Sequence, residues 1–148
     1  MFYIKPHNNI SLEVTKKDIP IIKSIAPIMQ DLCYKKYGIH TGALAIAHQQ
    51  IEKDNPLRFF ITKEKEIIIN PIITNKKDTT FKSFEGCLSF PFFKGKIVLR
   101  YNSISVKYLT LENDNFIEKI ENISGKRAFI FQHEIDHFDC IYINDIKT

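Results

Sequence analysis

Between residues 57 and 120 the apolar residues come in short or alternating runs, "LRFFIT", "EIIINP", "FKSFEGCLSF", "KIVLRYNSISVKYLTL" and "NFIEKI". These are strand patterns. Helical spacing is confined to either side of that block. A first helix is expected from near Asp18, a suitable N-cap with Pro20 tolerated in the first turn, carrying Ile22, Ile25, Met29, Leu32 and Cys33. Pro27 should kink or interrupt it, and Gly38 is a natural stop. After Ser124, a second N-cap candidate, Ala128, Phe131, Ile135 and Phe138 recur at spacings of three and four, the apolar face of a helix. With strands grouped together and helices only before and after them, alternating βαβ units are absent. The expected fold is α+β: antiparallel or mixed sheets packed around a C-terminal helix, with an N-terminal helix.

At 148 residues, with no repeat, low-complexity tract or Pro/Gly/Ser linker, residues 1–148 read as one domain. No apolar run approaches the roughly 20 residues of a membrane span, and "MFYIKPHNNI" lacks the features of an export signal. A cytoplasm-like location is expected. Three widely spaced cysteines, Cys33, Cys87 and Cys140, do not suggest a disulfide framework or a two-cysteine zinc knuckle. The net charge of +4 comes from lysines scattered along the chain, which gives no ground for nucleic-acid binding.

The late helix carries "FQHEIDHFD", residues 131–139. His133 and His137, four apart, face the same way on a helix and can share one ion, with Glu134 beside it. The alternative is a pair of surface histidines with a solvated Glu. A catalytic metal site needs a third protein ligand and an open position. Downstream of His137, Asp139, Cys140 and Asp145 are the candidate donors, and the first two lie too close on the same helix to reach around the ion. Upstream, "FEGCLSFP" offers Cys87 on a strand, where Gly86 lets the backbone approach closely and Pro91 ends regular pairing. Cys87 with the two histidines would give a Cys/His/His site.

"EGCLS" and "QHEIDH" resemble two signature motifs of the peptide deformylases, metal hydrolases that remove the formyl group from the N-terminal methionine of new polypeptides. "GALAIAHQ", residues 42–49, is similar to the third, with Leu44 where the family has its second glycine and Ile46 where it has its first alanine. The resemblance spans roughly residues 18 to 141, and it looks like a short form of the kind phages or organelles encode. It implies Cys87, His133 and His137 as metal ligands, with Fe2+ favoured over Zn2+, Ni2+ or Co2+. Glu134 is implied as general base and then acid, and the Gln49 side-chain amide and the Leu88 backbone N–H as oxyanion donors. Gly42, Ala43 and Leu44 are implied to bind substrate, an N-formylmethionyl peptide on a nascent chain at the ribosome. A monomer is expected. Glu85 and Arg100 are expected to pair and steady the loop bearing Cys87, and Asp136 either orients a histidine or is a solvated carboxylate. The rival functions are an HExxH-type zinc peptidase and an inactive deformylase-fold binding module.

Overall fold

The structure, a computed structural model, describes residues 5–36, 39–40, 43–87 and 95–146. Helix α1 (Ile19–Tyr34) is followed by the short strands β1 (Lys35–Lys36), β2 (Ile39–His40) and β3 (Ala45–Ala47). Next come β4 (Phe59–Thr62), β5 (Ile67–Lys76), β6 (Thr80–Glu85), β7 (Lys96–Tyr101), β8 (Ser103–Glu112) and β9 (Asn115–Ser124), and then helix α2 (Gly125–Phe138). Every pairing between these strands is antiparallel, which selects the antiparallel form of the expected α+β fold. The main sheet has the order β3-β4-β5-β8-β9, while β6 and β7 pair separately, as do β1 and β2.

Strand β4 explains how both helices are held. Its four residues are all buried, and successive side chains point to opposite faces. Phe59 and Ile61 join Ile22, Met29 and Cys33 of α1 in one core. Phe60 joins Ala128, Phe131 and Phe138 of α2 in the other. Full burial of each such aromatic side chain stabilises by about 1.5–3 kcal/mol. The Phe60 and Phe131 rings meet edge to face, with centroids 5.2 Å apart, a favoured aromatic geometry. In this way the period-2 and period-3.6 patterns of the sequence are satisfied together.

Three local expectations are refined. Asp18 marks the entry to α1 by accepting the Thr15 N–H on its carboxylate at 2.8 Å, within a 3-10 turn that precedes the helix. Helix α1 runs through Pro27 without interruption. That proline is exposed, so water can reach the Lys23 carbonyl it leaves unbonded. The helix ends at Tyr34, and Gly38 lies outside the described residues.

The run from Lys96 to Leu111 divides at Asn102, where the chain passes from the small sheet to the main one. The Gln132 side chain makes this possible. It accepts the Tyr101 N–H at 2.9 Å and donates to the Tyr101 carbonyl at 2.8 Å, taking the place of a strand neighbour. That bond pair fixes α2 against β7, one residue before His133.

Candidate metal centre

Cys87 lies two residues past the end of β6, and His133, Glu134 and His137 project from α2. The ligand atoms of Cys87, His133 and His137 all lie within 4.8 Å of one another. Cys87 Sγ stands 3.6 Å from His137 Nε2. Tetrahedral bonds of about 2.3 Å to sulfur and about 2.05 Å to nitrogen would separate two such atoms by about 3.6 Å, so the donors fit a divalent metal ion. The downstream alternatives are engaged elsewhere. Asp145 accepts the Tyr142 N–H at 2.9 Å, Asp139 stands 3.5 Å from Arg58, and the Cys140 thiol donates to the Asn9 carbonyl at 3.1 Å.

Each histidine is prepared differently. His133 Nδ1 contacts Glu85 Oε1 at 2.8 Å, which turns Nε2 toward the centre. Burial disfavours its imidazolium, but hydrogen bonds to Cys87 and Glu85 outweigh that and raise His133 to about 10. A metal bound at Nε2 would have to displace that proton, so loading at His133 is coupled to pH. His137 is fully buried, and burial holds it well below the ordinary histidine range. It is a neutral imidazole, the form that binds metal.

Behind His133 stands an ionic relay. Arg100 donates to both Glu85 oxygens, at 3.0 and 2.7 Å, and to Asp136 Oδ2 at 2.6 Å. The expected Glu85–Arg100 pair is therefore present and bidentate, the strong form of such a pair. Asp136 reaches a histidine only indirectly, through Arg100 and Glu85. Burial would raise Glu85, but hydrogen bonds from His133 and Arg100 bring it down to about 2.

Glu134 is 4% exposed, and its Oε2 has no hydrogen-bond partner among the described residues. Burial raises it to about 7. A carboxyl in that range gains and loses a proton near neutrality, as a general base and acid must, and a dication bound beside it would oppose the burial.

The expected catalytic amide is where sequence and structure part. Residues His48–Gln50 form a 3-10 turn after β3, and both glutamines are buried. Gln49 donates through Nε2 to the Tyr142 hydroxyl and approaches Cys140 Sγ at 3.7 Å. The next residue, Gln50, stands with Nε2 3.4 Å from Cys87 Sγ. Its Oε1 accepts the Ala47 N–H at 2.9 Å, which fixes the NH2 end toward the centre. In a turn of three residues, successive side chains diverge widely, so only one of the two can face Cys87. The sequence carries the ambiguity openly, as the doublet Gln49-Gln50.

Ala43 and Leu44 precede β3 and are half-buried, and the Leu44 carbonyl accepts the Lys63 N–H at 2.8 Å. Gly42 and Leu88 lie outside the described residues. A Cβ placed on Gly86 would meet nothing within 4 Å. The close approach expected at Gly86 is therefore not seen among the described residues, where a side chain would find open space.

Comparison with known proteins agrees with this geometry. The family model described as polypeptide deformylase matches residues 4–148. A peptide deformylase of Brachyspira hyodysenteriae is 33% identical over 140 residues, covering 92% of this chain and 72% of that protein. One from Leptospira biflexa is 37% identical over 100 residues, 66% of this chain, and there the match spans only 54% of the relative's length. Among solved structures, the Thermotoga maritima peptide deformylase superposes with a TM-score of 0.82 at 29% identity, covering 100% of this chain and 98% of the other. The enzyme of Vibrio parahaemolyticus bacteriophage VP16T, solved with actinonin, gives 0.80 at 27% identity over 97% of this chain and 100% of the other. With a Cys/His/His centre built on the motifs that first suggested it and a family match along nearly its whole length, the chain belongs to the polypeptide deformylase family.

Proposed function

We propose that this chain is a peptide deformylase, one catalytic domain that hydrolyses the formyl amide of N-formylmethionyl peptides and releases formate. The observation that carries the reading is the group of Cys87, His133 and His137 whose ligand atoms lie within 4.8 Å of one another, with Glu134 Oε2, which has no partner among the described residues, buried on the helix of the two histidines. A divalent ion held by those three donors supplies Lewis acidity, lowering the pKa of a water and polarising the formyl carbonyl. Iron(II) is favoured by resemblance, with Zn2+, Ni2+ or Co2+ able to take the same donors.

Glu134 takes a proton from the attacking water as the C–O bond forms. It then delivers that proton to the amine as the C–N bond breaks. The oxyanion that develops between these steps needs aimed donors. The Gln50 amide, rather than that of Gln49, is assigned one of these places, supported by its contact with Cys87 Sγ, and the Leu88 N–H is assigned the other by resemblance. Gly42, Ala43 and Leu44 are assigned to the peptide chain of the substrate. Nascent chains at the ribosome are the proposed source of substrate, with the enzyme a cytoplasmic monomer. Among the described residues, no helix is long and apolar enough to cross a membrane.

Formate release from a formyl-methionyl tripeptide, by iron-loaded protein protected from oxygen, tests the proposal. Turnover above the metal-free control is expected. No turnover above that control would refute it.

A further inference from the structure

Behind His137 lies a second buried polar group that the hydrolytic steps do not use. His7, Gln49 and Tyr142 come from three separate stretches of chain and are 9%, 0% and 5% exposed. The Tyr142 hydroxyl receives the Gln49 Nε2 amide and the His7 backbone N–H, the latter at 3.1 Å, and donates to the His7 carbonyl at 3.2 Å. A hydroxyl has one proton and two lone pairs, so all its capacity is engaged. His7 Nε2 in turn contacts the Gln49 carbonyl at 2.7 Å. Gln49 is therefore held at both its side chain and its main chain.

The group touches the metal centre at two points. The Tyr142 ring stands edge-on to the His137 imidazole, with centroids 5.3 Å apart. Gln49 is the middle residue of the 3-10 turn whose last residue, Gln50, stands against Cys87. Holding Gln49 fixes the rotation of that turn and hence the direction of Gln50. Gln49 Oε1 is buried with no partner among the described residues, so the group is costly, and an apolar residue at position 142 would fill the same space more cheaply. The cost is understandable if the network sets the geometry of the groups in front of it.

We propose that Tyr142 is a positioning residue of this enzyme, whose hydroxyl, by holding Gln49 aside, leaves Gln50 as the amide that faces the reacting centre. The proposal rests on the deformylase function assigned above. Its test is Tyr142→Phe, which keeps the ring and removes only the hydroxyl. His7→Ala is a second variant that frees the Gln49 carbonyl while leaving Tyr142 in place.

Two readouts are taken on each cobalt-substituted protein: kcat and KM for a formyl-methionyl tripeptide, and the visible d–d absorption of the cobalt centre. Loss of a residue that orients metal ligands costs about 10- to 100-fold in activity or metal affinity. Tyr142→Phe, which leaves the ring against His137, is expected to lower kcat about 10-fold at unchanged KM and to shift the cobalt bands through a loosened Gln50–Cys87 contact, with His7→Ala following in the same direction. A Tyr142→Phe protein with wild-type kcat and wild-type cobalt bands would overturn the proposal, however far its melting temperature falls. If the wild-type protein releases no formate, the deformylase function fails, while the cobalt spectra of the variants still decide the role of Tyr142.

Discussion

Replacing Arg100 by methionine removes three hydrogen bonds and the guanidinium that pairs with Glu85, while keeping most of the side chain's length. Glu85 is 9% exposed and Asp136 27%, so water can compensate the second carboxylate better than the first. The structure gives the size of the effect through Glu85. It stands at about 2 in the folded protein against an ordinary 4.5, and that gap of about 2.5, at about 1.4 kcal/mol per pKa unit, amounts to about 3.5 kcal/mol shared between His133 and Arg100. Removing Arg100 forfeits its share and leaves Glu85 buried without the guanidinium, so a loss of about 3 kcal/mol is expected, within the roughly 3–5 kcal/mol lost when one partner of a buried ion pair is removed.

Because the folded value is depressed, the stabilisation is complete above about 4.5 and fades as the pH falls toward 2. In urea, with a slope of roughly 2 kcal/mol/M for a chain this size, the unfolding midpoint of the metal-free variant at pH 7 should fall by about 1.5 M. The gap between variant and wild type should narrow as the pH is lowered through that window. A midpoint change under about 0.3 M, or a gap that stays constant down to about pH 3, would refute the role given to this pair.

Cys87→Ser should abolish metal loading, measured by elemental analysis of anaerobically purified protein, because among the described residues only three protein donors surround the site; retained stoichiometric metal would point instead to a different third ligand. Gln50→Leu should lower kcat by about 10²–10³, the usual cost of one oxyanion donor, and Gln49→Leu by about ten-fold, with a reversed order returning the catalytic role to Gln49. His48, buried and stacked on Phe59 with ring centroids 4.9 Å apart, accepts the Leu57 N–H on Nδ1 at 3.0 Å. Burial lowers it from 6.5 to about 4. The unfolded chain therefore takes up that proton first, so about 3 kcal/mol of stability is lost as the pH falls from about 6.5 to about 4. A His48→Leu variant that loses stability across that window as steeply as the wild type would contradict this. Phe60→Ala, at the junction of sheet and α2, should cost about 3–5 kcal/mol by urea denaturation, and a loss below about 1 kcal/mol would mean that the site collapses around the missing ring.

What was legible in the sequence was what local periodicity carries. The spacing of His133 and His137 is a property of one helix, and the Phe59-Phe60-Ile61 run is a property of one buried strand, so both could be read without knowing what packs against them. Cys87, whose position no periodicity determines, was reached through the missing third ligand and singled out by the deformylase resemblance. What escaped were choices made by tertiary contacts. Pro27 was expected to disturb α1, but it falls on the exposed face, where its missing hydrogen bond costs little. The division at Asn102 depends on Gln132 of α2 occupying both backbone groups of Tyr101, a bond pair that spans about thirty residues of sequence.

The two glutamines are the clearest case, because their sequence neighbourhood is nearly the same and their fates are opposite. Motif matching selected Gln49 by counting from Gly42, on the assumption that the turn after β3 keeps one register. The direction of that turn is instead fixed from outside it, by the Ala47 N–H on Gln50 Oε1 and by Tyr142 and His7 on Gln49. Tyr142 lies over ninety residues away from this doublet, beyond the end of the metal-binding helix. A motif records which residue types a site needs, but a repeated type within it leaves the assignment to whichever distant side chain takes one of the copies. In this chain a tyrosine just past His137 takes the first, and the second faces the thiol of Cys87.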